Sequence, residues 1–155
     1  MKIQELRNIG RNKLAKNNVD DVFIKIDILL QHLIKINKTE LIINQENEVT
    51  KNEENKFFKC IEEVISGKPI QYITKSQEFM NLKFYVDENV LIPQPDTEIL
   101  VEEVIKRINE IKKEKIIKVL DLCTGSGAIS ISIKKYVNEN VEVYATDISE
   151  KAIKI

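Results

Sequence analysis

The sequence predicts an N-terminal α-helical bundle, a linker β-hairpin and then the first β-α-β unit of an open parallel α/β domain, which is expected to be incomplete. Three observations carry that expectation. Apolar residues recur at three- and four-residue steps up to about Ile65. All three prolines fall within residues 67–95. A Gly-x-Gly turn stands between two aliphatic runs, at 116–120 and 141–146. The expected boundaries are 1–66 for the helical part, 67–95 for the linker with its hairpin, and 96–155 for the start of the α/β part.

Composition sets outer limits. In 155 residues, 43% are hydrophobic and 32% charged, ordinary for a chain that buries a core. Lys plus Arg (24) nearly cancel Asp plus Glu (25), so bulk charge offers no grip on nucleic acid or an anionic membrane. No apolar run approaches the roughly 18 residues of a membrane span. The start, "MKIQELRNIGRNKL", lacks the apolar centre of a signal peptide, and a cytoplasmic location is expected. Cys60 and Cys123 have no cysteine or histidine at ligand spacing, so neither a metal site nor a disulfide framework is expected.

The helical part is punctuated locally. A first helix is expected near residues 2–17. Val22, Phe23, Ile26, Leu30 and Leu33 then repeat as one face of an amphipathic helix beginning near Asp20. Thr39 is the expected N-cap of a short helix carrying Leu41 and Ile42. Thr50-Lys51-Asn52-Glu53 is a capping box, in which hydroxyl and carboxylate each satisfy a backbone N–H left over at the helix start. Phe57, Phe58, Ile61, Val64 and Ile65 form the buried stripe of that helix, and Gly67 suits the left-handed residue after its end. His32, the single histidine, is expected to be half-buried, hydrogen-bonded and structural. The Glu and Lys clusters at 46–56 and 110–115 are expected to be solvated faces.

In the linker, Leu82–Val86 and Val90–Ile92 flank the turn-rich Asp87-Glu88-Asn89, which places the hairpin there. Pro93 and Pro95 deny backbone donors and end any strand. Asp96 or Thr97 is expected to cap a helix whose stripe is Leu100, Val101, Val104, Ile108 and Ile111. A stiff helix entry explains the prolines and the cap. It does not explain why so polar a segment follows the apolar "VLI".

The α/β part carries the chemistry. Ile116–Leu120 reads as a strand buried on both faces, Ala128–Val137 as a helix, Val141–Thr146 as a second strand, and Ser149 as an N-cap. "DLCTGSGAIS" thus lies at the carboxyl end of the first strand, where open parallel sheets bind ligands. Asp147 ends the second strand, where a carboxylate can accept both hydroxyls of an adenosine ribose. A nicotinamide dinucleotide and S-adenosylmethionine both fit that much. The dinucleotide fingerprint wants a third glycine where Ser130 stands. Asp121 instead places a carboxylate before the glycines, suited to the α-ammonium of S-adenosylmethionine, a cofactor without phosphates.

At this point the sequence resembles the HemK/PrmC-type protein-(glutamine-N5) methyltransferases. The resemblance rests on "IDILLQHLIKINKTELIIN", on "GKPIQYI" with "FMNLKFYVDENVLIPQPDTEILVE", and on "VLDLCTGSGAISISI" with "ATDIS". It implies a helical domain that docks a peptide-chain release factor and a Rossmann-like S-adenosylmethionine-dependent domain. The reaction it implies is methyl transfer to the side-chain amide of a glutamine in a Gly-Gly-Gln loop. Direct contact with nucleic acid or membrane is not expected. Cys123, Thr124, Gly125, Ser126 and Gly127 match the family's cofactor loop, and Asp147 its ribose-binding acid. Gln94 stands where the family usually has arginine. The family's Asn-Pro-Pro-Tyr motif, which holds the glutamine amide, does not occur among the 155 residues. No catalytic residue is therefore assigned, and these residues alone are expected to be catalytically incomplete. The alternatives are an amino-methyltransferase of nucleic acid bases and a non-catalytic module that binds a partner protein.

Overall fold

A computed structural model of the protein describes residues 1–111, 116–137 and 140–155. It divides into two compact units, Met1–Thr74 and Lys75–Ile155. The expected charged run at 110–115 lies mostly outside the described residues.

The first unit holds five helices: α1 (Ile3–Lys16), α2 (Val22–Ile34), α3 (Lys38–Ile43), α4 (Lys51–Ile65) and α5 (Ile70–Thr74). Leu6, Leu14, Ile26, Leu29, Leu30, Phe57 and Ile61 form its dry centre. Side-chain bonds fix the starts of α3 and α4. Thr50 Oγ1 accepts from the Glu53 N–H (3.2 Å), and Glu53 returns a carboxylate oxygen to the Thr50 N–H (2.7 Å). Gly67 has φ +91° just past the end of α4, as its position predicts.

Several expectations need correction. The cap of α3 is Asn37, not Thr39: its Oδ1 accepts from the Glu40 N–H (2.9 Å), and Glu40 bonds back to the Asn37 N–H (2.7 Å). Phe23 is 65% exposed because it lies at the margin of the α2 stripe. Leu29 fills the place, and the Arg11 guanidinium covers the Phe23 ring at 4.5 Å. His32 is exposed. On the facing sides of α1 and α2, Arg7 grips Asp27 through two bonds (2.7 and 2.5 Å), a paired geometry that a lysine cannot reproduce.

The second unit begins with a two-stranded antiparallel hairpin, β1 (Gln77–Phe79) and β2 (Leu82–Phe84), in the register Gln77↔Phe84 and Phe79↔Leu82. The strands lie earlier than the sequence suggested. The turn is Met80–Asn81, both in the left-handed region (φ 50° and 56°), and Asp87–Asn89 forms only a local turn in which the Asp87 carboxylate accepts from the Asn89 N–H (2.9 Å). Next comes α6 (Asp96–Glu110), whose N-cap is Pro95 with no side-chain cap bond, so neither Asp96 nor Thr97 has the expected role. Val101 and Ile108 are its buried positions, with Val104 and Ile105 beside them; Leu100 and Ile111 are exposed.

β3 (Ile117–Leu122) and β4 (Val141–Thr146) pair in parallel from Ile117↔Val141 to Leu122↔Thr146, joined through α7 (Ala128–Tyr136). α8 (Glu150–Ile153) follows, and Ser149 Oγ accepts from the Ala152 N–H (3.2 Å). Val119 and Val143 turn toward the core that α6 and α7 supply. Leu120, Leu122 and Tyr144 lie on the other face, 58%, 68% and 50% exposed. β3 is therefore covered on one face among the described residues, not on two.

Candidate functional site

The carboxyl ends of β3 and β4 meet at the glycine loop. The Thr124 N–H donates to the Thr146 carbonyl (2.9 Å), carrying the ladder one step into the loop. Asp147, the first residue past β4, then bridges: Oδ2 accepts from the Gly125 N–H (2.9 Å) and Oδ1 from the Ser149 N–H (2.8 Å). These amides, Ser149 first and then Gly125, hold the carboxyl below its ordinary pKa. A carboxylate has about four acceptor positions, so Asp147 keeps acceptor capacity for a diol after binding both amides.

Asp121 is 8% exposed and serves the loop itself. Its Oδ2 accepts from Thr124 Oγ1 (2.7 Å) and from the Ser130 N–H (3.2 Å) in the first turn of α7. Ser130 Oγ in turn lies 3.1 Å from Thr124 Oγ1 and donates to the Gly127 carbonyl (3.1 Å). The loop is thereby locked to the strand that precedes it and the helix that follows.

This arrangement discriminates between cofactors. A pyrophosphate in a dinucleotide site rests on the amides at a helix N-terminus. Here one of those amides is bonded to a carboxylate, whose negative charge would repel a phosphate. The loop from Asp121 to Gly127 contains no lysine or arginine. The donor and acceptor set suits a nucleoside diol and a cationic ligand, and does not suit a diphosphate.

Backbone conformation explains the residue types. Gly125 and Gly127 have φ +57° and +74°, the region that glycine enters without penalty. A Cβ on Gly127 would meet Ile131 Cδ1 at 3.0 Å, whereas one on Gly125 would meet no protein atom within 4 Å. Cys123 adopts φ +62° despite its side chain, with its thiol exposed.

Beside the loop lies a cavity of about 140 Å3. One wall is Cys123–Ser126 with Ala128 and Ile129; the other is Leu91–Gln94 with Thr97 and Phe79. The structure thus brings all seven expected site residues to one end of the sheet, with Cys123, Thr124, Gly125 and Ser126 reaching the cavity. Phe79, Ile92 and Thr97 were missed from sequence. The signal that could have found Ile92 and Thr97 is the abrupt change from "VLI" to the polar Pro-Gln-Pro-Asp-Thr run, whereas nothing comparable marks Phe79.

Comparison with known proteins divides along the same line. Residues 5–74 match the family model for the PrmC N-terminal domain. Residues 89–155 match that of the ubiE/COQ5 methyltransferase family. Over all 155 residues the chain is 43% identical to a release factor glutamine methyltransferase of Clostridium acetobutylicum, covering 53% of that protein. It is 37% identical over the same span to a protein of the same name from Borreliella burgdorferi, covering 50% of it. Over 129 residues, 83% of the chain, it is 39% identical to the protein of that name from Bacillus cereus, covering 45%. The chain spans about half the length of the curated relatives it matches. The chain thus carries a PrmC N-terminal domain and, over its whole length, is similar to the first half of release factor glutamine methyltransferases.

Proposed function

We propose that the chain carries the docking and cofactor-binding portions of an S-adenosylmethionine-dependent enzyme that methylates a glutamine side-chain amide in a peptide-chain release factor. The β3-α7-β4 unit is read as the opening of a Rossmann-like domain, and the helical unit Met1–Thr74 as the part that meets the release factor, in the cytoplasm. The observation that carries the reading is the pairing of Asp147 with the glycine loop at the ends of two adjacent parallel strands. It joins an acceptor for ribose hydroxyls to a bare stretch of backbone, with phosphate disfavoured by Asp121.

The cofactor supplies an electrophilic methyl group on a sulfonium, which departs as a neutral thioether. The residues of this chain bind and orient. Asp147 takes the ribose hydroxyls, Gly125 and Gly127 let the ligand approach the main chain, and Asp121 keeps the loop in one conformation. An amide nitrogen is a weak nucleophile, so holding it in line is the remaining task. The resemblance gives that task to Asn-Pro-Pro-Tyr, which is not among these 155 residues, and no residue here is assigned to it.

Calorimetry with S-adenosylhomocysteine tests the binding part. The 155-residue chain is expected to bind it, and Asp147→Ala to weaken binding roughly tenfold, as when a polar ligand group loses its partner in a site. Equal affinity in both proteins would remove Asp147 from the site. In an assay with labelled S-adenosylmethionine, the 155-residue polypeptide is expected to leave a release factor unlabelled. Measurable transfer would show that the amide-holding groups lie within residues 1–155 after all.

A further inference from the structure

Helix α2 is apolar on two sides. Ile26, Leu29 and Leu30 face the dry centre of the helical unit and are at most 1% exposed. Phe23, Ile24 and Ile28 belong to the same helix but are 65%, 61% and 37% exposed. Ile24 and Ile28 stand four residues apart, one turn above the other, and Phe23 lies in the neighbouring row. Single apolar side chains on a surface need no explanation, whereas several gathered on one exposed face mark an interaction site.

The Phe23 ring is held in place from α1. Arg7 already binds the Asp27 carboxylate through both oxygens, and Arg11 reaches it with a single nitrogen at 3.4 Å. The rest of the Arg11 guanidinium lies on the Phe23 ring, 4.5 Å from its centroid. Arg11 Nε is buried with no hydrogen-bond partner among the described residues. Two guanidinium groups thus share one carboxylate, which leaves one positive charge uncompensated beside an exposed ring. Aromatic residues and arginine are enriched where protein interfaces are buried, and a side chain fixed before its partner arrives lowers the ordering cost of association. The occupant follows from that chemistry. The excess charge suits a carboxylate, and Ile24 and Ile28 suit an apolar side chain next to it. A nucleic acid would gain nothing from the aliphatic pair, and a single spare cation is a poor match for a run of phosphates.

We propose that Phe23, Ile24, Ile28 and Arg11 form a preformed docking patch for an apolar segment of a partner protein that brings a carboxylate to Arg11. The inference rests on the docking reading above, under which that partner is the release factor. Calorimetry of the 155-residue chain with an unmethylated bacterial release factor tests it. Phe23→Ala is expected to weaken binding about tenfold or more while the helix content stays native, because the ring is mostly exposed. Phe23→Tyr, which keeps the ring under the guanidinium, is expected to bind within about twofold of the wild type. Arg11→Gln leaves Asp27 to Arg7 and removes the spare charge; it is expected to weaken binding about three- to tenfold and to flatten its salt dependence. Unchanged affinity in either Phe23→Ala or Arg11→Gln would overturn the patch and leave the docking reading standing, and the two Phe23 variants decide the matter if Arg11→Gln does not fold. A wild-type chain that does not bind the release factor would overturn both. A single-stranded RNA oligonucleotide that binds more tightly than the release factor and is lost in Phe23→Ala would overturn the proposal in favour of nucleic acid. Self-association abolished by Phe23→Ala with release-factor affinity intact would overturn it in favour of a second copy of the chain.

Discussion

Asp147 is the residue on which the account turns, and its protonation gives a signed prediction. Backbone amides, those of Ser149 and Gly125 foremost, hold its folded-state pKa below the ordinary carboxylate value. Its bonds to the loop are therefore fully present above about pH 4 and are lost only as pH falls through the lowered value. Affinity for S-adenosylhomocysteine is expected to stay flat from about pH 5 to 8 and to decline only below about pH 4. A decline centred near neutrality would mean that another group governs the site. Gly127 offers a second residue-scale check. Alanine there would adopt φ +74° and press on Ile131 Cδ1 at 3.0 Å. Ile131 is half exposed and can yield, so the backbone term dominates, at about 1–2 kcal/mol of stability. Chemical denaturation measures it, and an unchanged midpoint would contradict the left-handed assignment.

Among the elements, what was legible in the sequence was local. The Thr50–Glu53 box, Gly67 and the Ser149 cap are decided by residues within three or four positions of one another, and all stand where their chemistry puts them. The Asn37–Glu40 box was equally local and was overlooked in favour of Thr39. The hairpin was misplaced for a different reason. Its turn carries Met and Asn instead of the Asn-Gly usual for two left-handed residues, and its support comes from Glu98 and Tyr136, 18 and 56 residues away. Side-chain packing also escapes periodicity, as Gly10 shows. A Cβ there would lie 2.7 Å from both Ile26 Cδ1 and Phe57 Cζ. Gly→Ala in a helix normally gains about 1 kcal/mol, while overpacking a core costs about 1–3 kcal/mol. Ile26 and Phe57 are both fully buried and have nowhere to move, so the second effect wins. Gly10→Ala is expected to destabilise the helical unit by up to about 2 kcal/mol, and a raised unfolding midpoint would show that the crossing of α1, α2 and α4 is looser than described.

For the whole molecule, the two units differ in how their cores are closed. The helical unit surrounds its apolar centre with five helices, whereas among the described residues the β3–β4 sheet leaves Leu120, Leu122 and Tyr144 uncovered. A two-stranded sheet with helices on one face has little independent stability, and few buried contacts mean opening at low free energy. Hydrogen exchange is expected to show the amides of Val119, Leu120 and Val143 less protected than those around Ile61 in α4, and equal protection would contradict this. S-adenosylhomocysteine is expected to raise the protection of the strand amides, because a ligand that binds the folded form stabilises it. The claim that matters most is that the glycine loop and Asp147 form one cofactor site, and the most direct measurement is a titration of the 15N-labelled chain with S-adenosylhomocysteine, followed by NMR. Saturable shifts at Gly125, Ser126, Gly127 and Asp147, with the amides of α1 and α4 unmoved, are the predicted result; saturable shifts confined to other residues, or none at all, would contradict it.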